Sequence, residues 1–171
     1  MKRREKRPRL LVLSSTYPRW RGDPEPAFVH ELSRRLGSEF EVLVLGPHAT
    51  GALESETMDG IRVRRFRYAP ARAESLVNDG GIVTNLHRHP WKWLLLPGFV
   101  LGLAFTTWRL ARKWKPDVIH AHWVIPQGLV AALLSLSARS PPFVVTCHGS
   151  DVHSLKGPVM IRLKQFVVRR A

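Results

Sequence analysis

Cysteine is nearly absent. One residue, Cys147, serves the whole 171-residue chain, which excludes an intrachain disulfide framework and a cysteine-based zinc knuckle and fits a reducing cytoplasm. Two glycine-rich fingerprints are missing as well. No Gly-x-Gly-x-x-Gly follows the first apolar segment, and no Gly-x-x-x-x-Gly-Lys-Ser/Thr occurs anywhere, so neither a dehydrogenase nor a P-loop ATPase has support. There is no internal repeat. A secretory leader is not legible, because the basic start is followed only by Leu10-Leu11-Val12-Leu13 before Ser14, too short for the apolar core of a signal peptide. Acids are scarce: 13 Asp and Glu face 27 Lys and Arg, for a net charge of +14. Such a surplus seeks anions, whether nucleic acid, lipid headgroups or phosphorylated substrates.

What is present is a globular composition, 44% hydrophobic with 6 Trp and 7 Phe, in a chain long enough for one well-packed domain. Residues 1–9 read as a basic tail, with six bases against one acid between Lys2 and Arg9, and residues 10–171 as the domain. Trp93 to Trp108 is an uncharged run of sixteen residues between Lys92 and Arg109. As a helix it spans about 24 Å, short of the roughly 30 Å hydrocarbon core. Pro97 and Gly98 suit a helix start, and the Gly98/Gly102 pair lets a helix sit close on a sheet. The expectation is a buried amphipathic helix rather than a membrane span.

Along the chain, short apolar runs alternate with helical patterns. Arg9 to Ser14, Phe40 to Leu45, Val118 to Trp123 and Phe143 to Cys147 read as strands; Ile61 to Tyr68 reads as an edge strand whose alternation slips at Arg64-Arg65 through a bulge. Helices are expected after Pro26, with Phe28, Val29, Leu32 and Leu36 on the inner face and Gly37 as the stop. Others fill the run ending near Lys115, Gln127 to Ala138 (apolar nearly all round), and the stretch after Pro158. Strands apolar on both faces, alternating with helices, predict an α/β fold, a Rossmann-like doubly wound parallel sheet. Ligands of such sheets bind beyond the carboxyl ends of the strands, which directs attention to Ser14–Asp23, His120–Trp123 and His148–His153.

His120 and His122 share one face of a strand by the two-residue repeat. Together with His148, Asp151 and His153 they suggest the ligands of a metal-dependent hydrolase; the simpler reading packs His120 in the sheet and lines a polar cleft with His122. His148 at a strand tip, followed by Gly149, presents a ring beside open backbone amides, while Asp151 can alternatively cap local amides.

In order and spacing these segments resemble the N-terminal domain of glycosyltransferase family 4, retaining enzymes of the two-domain GT-B fold. The carriers are Leu11-Val12-Leu13-Ser14-Ser15-Thr16-Tyr17-Pro18 with Gly22-Asp23, Phe28-Val29-His30-Glu31-Leu32, Pro116-Asp117-Val118-Ile119-His120-Ala121-His122-Trp123 and Val144-Val145-Thr146-Cys147-His148-Gly149-Ser150-Asp151-Val152. The resemblance covers nearly the whole chain from Leu10. It implies a UDP- or GDP-sugar donor, no cofactor and no metal ion, and a glycan or lipid-linked acceptor held by this half. It makes His148 the catalytic candidate, whose ring reaches the transferred sugar, and Gly22 and Asp23 the donor-phosphate loop. Tyr17, Arg19, His122, Trp123, Gly149 and Asp151 are the acceptor or cleft candidates. Family members often have Gly-Gly where this chain has Gly22-Asp23, and a carboxylate there would repel a diphosphate unless Asp23 points away.

The family continues with a further strand and a C-terminal donor-binding domain, which implies a fragment, a truncated product or half of a split enzyme, inactive alone. The rival reading is a basic module docking on anionic membrane or on a partner through the last helix, where Met160, Leu163 and Val167 share a face among Arg162, Lys164, Arg169 and Arg170. Nucleic acid is disfavoured, since the aromatics sit in apolar helices rather than among bases on a strand face. The expected location is the cytoplasm, at the inner face of the cell membrane in the docking reading.

Overall fold

The computed structural model describes residues 7–171; residues 1–6 of the expected basic tail lie outside the described residues. Strand β1 (Arg9–Leu13) shows why its sequence is apolar without alternation. Leu10 and Val12 enter one core and Leu11 and Leu13 another, on opposite faces of the sheet, and all four are buried. Strands β2 (Glu41–Pro47), β3 (Ser55–Met58), β4 (Ile61–Phe66), β5 (Val118–His122) and β6 (Phe143–Thr146) complete a six-stranded sheet in the order β3-β4-β2-β1-β5-β6. Every pairing is parallel except the β3–β4 hairpin. Helix α1 (Phe28–Leu36) covers the face of Leu10 and Val12. The opposite face carries α2 (Gly81–Arg88), α3 (Leu95–Lys113), α4 (Leu129–Leu134) and, beyond the four-residue α5 (Ser150–His153), α6 (Pro158–Val168). Helices on both faces of a mostly parallel sheet make this the Rossmann-like doubly wound unit expected.

Four local readings are corrected. Ile61–Phe66 is no edge strand and has no bulge: its register with β2 runs unbroken from Arg62 to Phe66, and the polar strand β3 takes the edge. The alternation slips because Arg65 is buried, donating to Glu56 Oε1 (2.6 Å) and to the carbonyls of Leu53, Pro18 and Arg19. On α1 the buried side chains are Val29, His30 and Ser33, while Phe28 and Leu32 face outward. Helix α4 ends at Leu134 rather than Ala138, with Leu133 exposed. The face of α6 named for docking is partly covered: Val167 is fully buried and Met160 and Leu163 half-buried, while the exposed apolar residues of the helix are Val159, Ile161 and Val168.

Helix α3 buries Leu95, Phe99, Leu103, Thr107 and Leu110 on one stripe, the i, i+4 pattern of a helix laid on a core. Its two glycines permit the close approach. A Cβ at Gly98 would overlap the carbonyl oxygen of Tyr68, and one at Gly102 that of Arg67, backbone atoms that cannot swing aside. Alanine normally favours a helix by about 1 kcal/mol over glycine. Here Gly98→Ala and Gly102→Ala are each expected to destabilise the fold by about 1–3 kcal/mol, and denaturant unfolding of the two variants measures it. An increase in stability would show that the helix does not sit this close.

Candidate functional site

Between β1 and β5 the chain changes direction. From β1 it passes to β2 on one side, whereas β5 and β6 lie on the other. The loops leaving these strands diverge there, opening the crevice in which doubly wound sheets bind ligands.

Two buried polar side chains hold the crevice floor. Gln127, with its amide oriented to satisfy both neighbours, accepts from the Ser15 N–H (2.9 Å) and donates to the His122 carbonyl (3.3 Å), so it joins the ends of β1 and β5. Asp151 accepts from the Val124 N–H (2.6 Å) and the His148 N–H (3.1 Å), joining the turns after β5 and β6. Asp151 is thus the amide cap of the simpler reading, at the base of the site. Between them Trp123 adopts φ +74°, a left-handed conformation unusual for a bulky residue. It lies against His148, ring centroids 4.5 Å apart, and Phe28 completes the cluster 5.0 Å from the imidazole.

His148 is half-buried. Its Nε2 is 3.0 Å from Nδ1 of His122, so one imidazole donates the hydrogen that the other accepts. His122 is inaccessible, its Nε2 has no partner, and its pKa is pushed down to about 3, by burial first and then by the neighbouring His120 and His148. Burial also lowers the pKa of His148, with Asp151 opposing, and that of His120. His120 Nε2 pairs with Thr146 Oγ1 at 2.8 Å. The three imidazoles, all with depressed pKa values, are packed side by side, His120 against His122 with ring centroids 4.3 Å apart and His122 hydrogen-bonded to His148. His120, His122 and His148 are neighbours, but among the described residues no three His, Cys, Asp or Glu side chains are arranged to hold an ion.

The loop after β1 is equally constrained. Arg19 grips Asp23 with its backbone N–H (2.7 Å), its Nε (2.8 Å) and a terminal guanidinium nitrogen (2.6 Å). The Asp23 side chain is fully covered, and this pairing holds its carboxyl below the usual range. The Asp23 charge is thereby paired within its own loop. Gly22, at φ +76°, has open space where a side chain would stand, as does Gly149 at φ +82°. Tyr17, expected in the cleft, is instead turned inward: its hydroxyl bonds His30 Nδ1 (2.7 Å), whose Nε2 meets Asp59 (3.0 Å). Burial pushes its phenol well above the ordinary value. The guanidinium of Arg19, another cleft candidate, is committed to Asp23 and lies over Trp20.

Beside this edge lies a cavity of about 630 Å³. Its walls include Thr16, Phe28, Trp93, Leu96, Trp123 and Asp151: mostly apolar, with a few convergent polar groups, as in ligand sites generally. Phe28 was read from sequence as a core residue of its helix, and the α2–α3 residues carried no sequence signal, because they reach the site from elements distant in the chain.

Two consequences are measurable. Asp151→Ala strands two backbone N–H groups and should destabilise the fold by about 2–4 kcal/mol, read by denaturant unfolding. His122 is depressed in the fold and titrates near 6.5 when unfolded. Below that pH the unfolded chain therefore binds a proton the fold refuses, and stability falls as pH drops from about 6.5 toward about 3, at up to about 1.4 kcal/mol per pH unit. His122→Gln should flatten that slope; an unchanged slope would assign the acid sensitivity to other groups.

The model of a glycosyl transferase 4-like domain matches residues 26–171. A Bacillus subtilis protein named as a teichuronic acid biosynthesis glycosyltransferase is 55% identical over 42 residues, 25% of this chain and 10% of that protein. The glycogen synthase of Rhodospirillum rubrum is 42% identical over 52 residues, 29% of this chain and 10% of its own. These matches span about a tenth of each relative's length. Among solved structures, sucrose-phosphate synthase from Thermosynechococcus elongatus superposes with a TM-score of 0.63 at 14% identity, covering 96% of this chain and 41% of that one. At that identity the likeness is one of fold, and the fold is the GT-B Rossmann-like domain.

Proposed function

The chain belongs to the family of glycosyl transferase 4-like domains, and from that premise we propose that it forms the acceptor-side half of a glycosyltransferase that moves a hexosyl-type unit from a UDP- or GDP-sugar with retention. In this reading a donor-binding domain, continuous with this chain or separate, grips the nucleotide. The open backbone at Gly22 approaches the diphosphate, and the acceptor, a glycan or lipid-linked saccharide, occupies the cavity beside Trp123. No cofactor or metal is required, and the reaction takes place in the cytoplasm.

The observation that carries the reading is the state of His148. Its Nε2 is engaged with His122, the flanking Phe28, Trp123 and Asp151 fix its place, and the first two of these with Asp151 also line the cavity. Its pKa is lowered by burial, so it meets the substrate uncharged. That suits glycosyl transfer, in which positive charge develops on the sugar ring: a cation would oppose it, whereas a neutral imidazole can hydrogen-bond a sugar hydroxyl and stabilise the transition state.

In the enzyme that unites this domain with its donor-binding half, His148→Ala should lower kcat by roughly thirty- to a thousand-fold, about 2–4 kcal/mol in the barrier, with a smaller change in donor affinity. His122→Ala, at a buried ring, should act on stability, or on acceptor affinity through the His148 ring it holds, and a chelator should change neither rate. The 171-residue chain alone should transfer no sugar, because positioning donor against acceptor supplies up to about 7–11 kcal/mol of the acceleration. Near-normal turnover by His148→Ala would refute the role assigned to the imidazole.

A further inference from the structure

We propose that the outer face of α3 seats this domain on the surface of an anionic bilayer. Opposite the buried stripe, Leu101, Phe105 and Trp108 line up at helical spacing and are 68%, 60% and 44% exposed. Leu94, Trp91 and Trp93 extend the surface beyond the N-terminal end. Segment 90–113 is long and apolar enough to cross a membrane, yet its inner stripe and both glycines are committed to the protein core. A helix apolar on both sides and packed on one can lie in the interface without spanning it, its free face entering the headgroup and acyl boundary. Tryptophans near both ends suit that depth.

Charge identifies the surface it meets. From Gly80 to Pro116 there is no acid and there are six bases; of these Arg88, Arg109, Arg112, Lys113 and Lys115 are exposed. Arg112 lies over the Trp108 ring, 5.2 Å from its centroid, so base and aromatic share one patch. A second copy of the chain would meet these bases with the same sign, whereas anionic headgroups complement them. The cavity supplies an independent line of support. Trp93 and Val100 are exposed on this surface and also line the cavity wall, so the apolar face runs continuously into the site. Resting on the sugar-transfer reading, a lipid-linked acceptor would then reach the cavity without leaving the membrane.

The test is co-sedimentation of the 171-residue chain with vesicles, which needs no sugar transfer and so stands or falls separately from that reading. The chain should bind vesicles of phosphatidylcholine mixed with phosphatidylglycerol, bind phosphatidylcholine alone far more weakly, and lose affinity as salt is raised. Phe105→Asp with Trp108→Asp, at exposed positions and with folding checked by circular dichroism, should weaken binding by about tenfold or more. Arg109→Glu with Arg112→Glu should do the same by charge alone. Leu53→Asp, an equally exposed apolar site before β3, should leave binding intact. Absence of vesicle binding, binding indifferent to the α3 substitutions, or equal loss with Leu53→Asp would each overturn the proposal. So would a dimer in solution that those substitutions dissolve, which would make a second copy the occupant.

Discussion

At the carboxyl edge of the sheet, the parting of β1 from β5 leaves backbone groups that no neighbouring strand can satisfy, and the shape of this end of the molecule follows from how they are paired. Burying an N–H without an acceptor is expensive. Gln127 supplies one acceptor to Ser15, and Asp151 supplies two, to Val124 and His148. Because those partners lie on three different loops, satisfying them fixes the loops relative to one another. The positive φ of Trp123 and the position of the His148 ring are held by the same bonds. The site is preorganised by the pairing of its floor.

A second buried polar system does the same for the loop after β1. Arg65 reaches from β4 to the carbonyls of Pro18 and Arg19, and Tyr17 is tied through His30 to Asp59. The Arg19–Asp23 pair then closes the loop on itself. A loop with three prolines and four such ties loses little further entropy when a ligand arrives. It also presents little net charge of its own, Arg19 and Arg21 balancing Asp23 and Glu25.

The strands apolar on both faces were legible from sequence because burial from two sides leaves only one composition, as in β1 and β2. Hence the doubly wound sheet and the importance of its carboxyl edge could be read directly. Strand β3 could not: Ser55-Glu56-Thr57-Met58 is a half-exposed edge whose pairing comes from its neighbour rather than its own pattern. The inner face of α1 was misread because Phe28 satisfies hydrophobic periodicity yet is drawn to the ring of His148, while His30 and Ser33 are buried by polar contacts that periodicity does not register. Tyr17 was assigned to the cleft from its place after a strand, and its partner His30 is thirteen residues away. That His148, Trp123 and Gly149 stand at the carboxyl edge was legible because each follows a strand. The cavity wall from α2 and α3 was invisible for the opposite reason.

The contact of Gly98 and Gly102 with the backbone of Arg67 and Tyr68 also has a mechanical meaning. A helix resting on side chains can slide or roll as rotamers change, whereas one resting on carbonyl oxygens has no such compliance. Tyr68 in turn donates its own N–H to the Glu74 carboxylate and accepts the Leu76 N–H with its hydroxyl, so the stiffness extends into the segment leading to α2. A push on the outer face of α3 is therefore delivered to the sheet as a rigid displacement, and the distance between that face and the His148 ring stays nearly constant while the whole domain tilts.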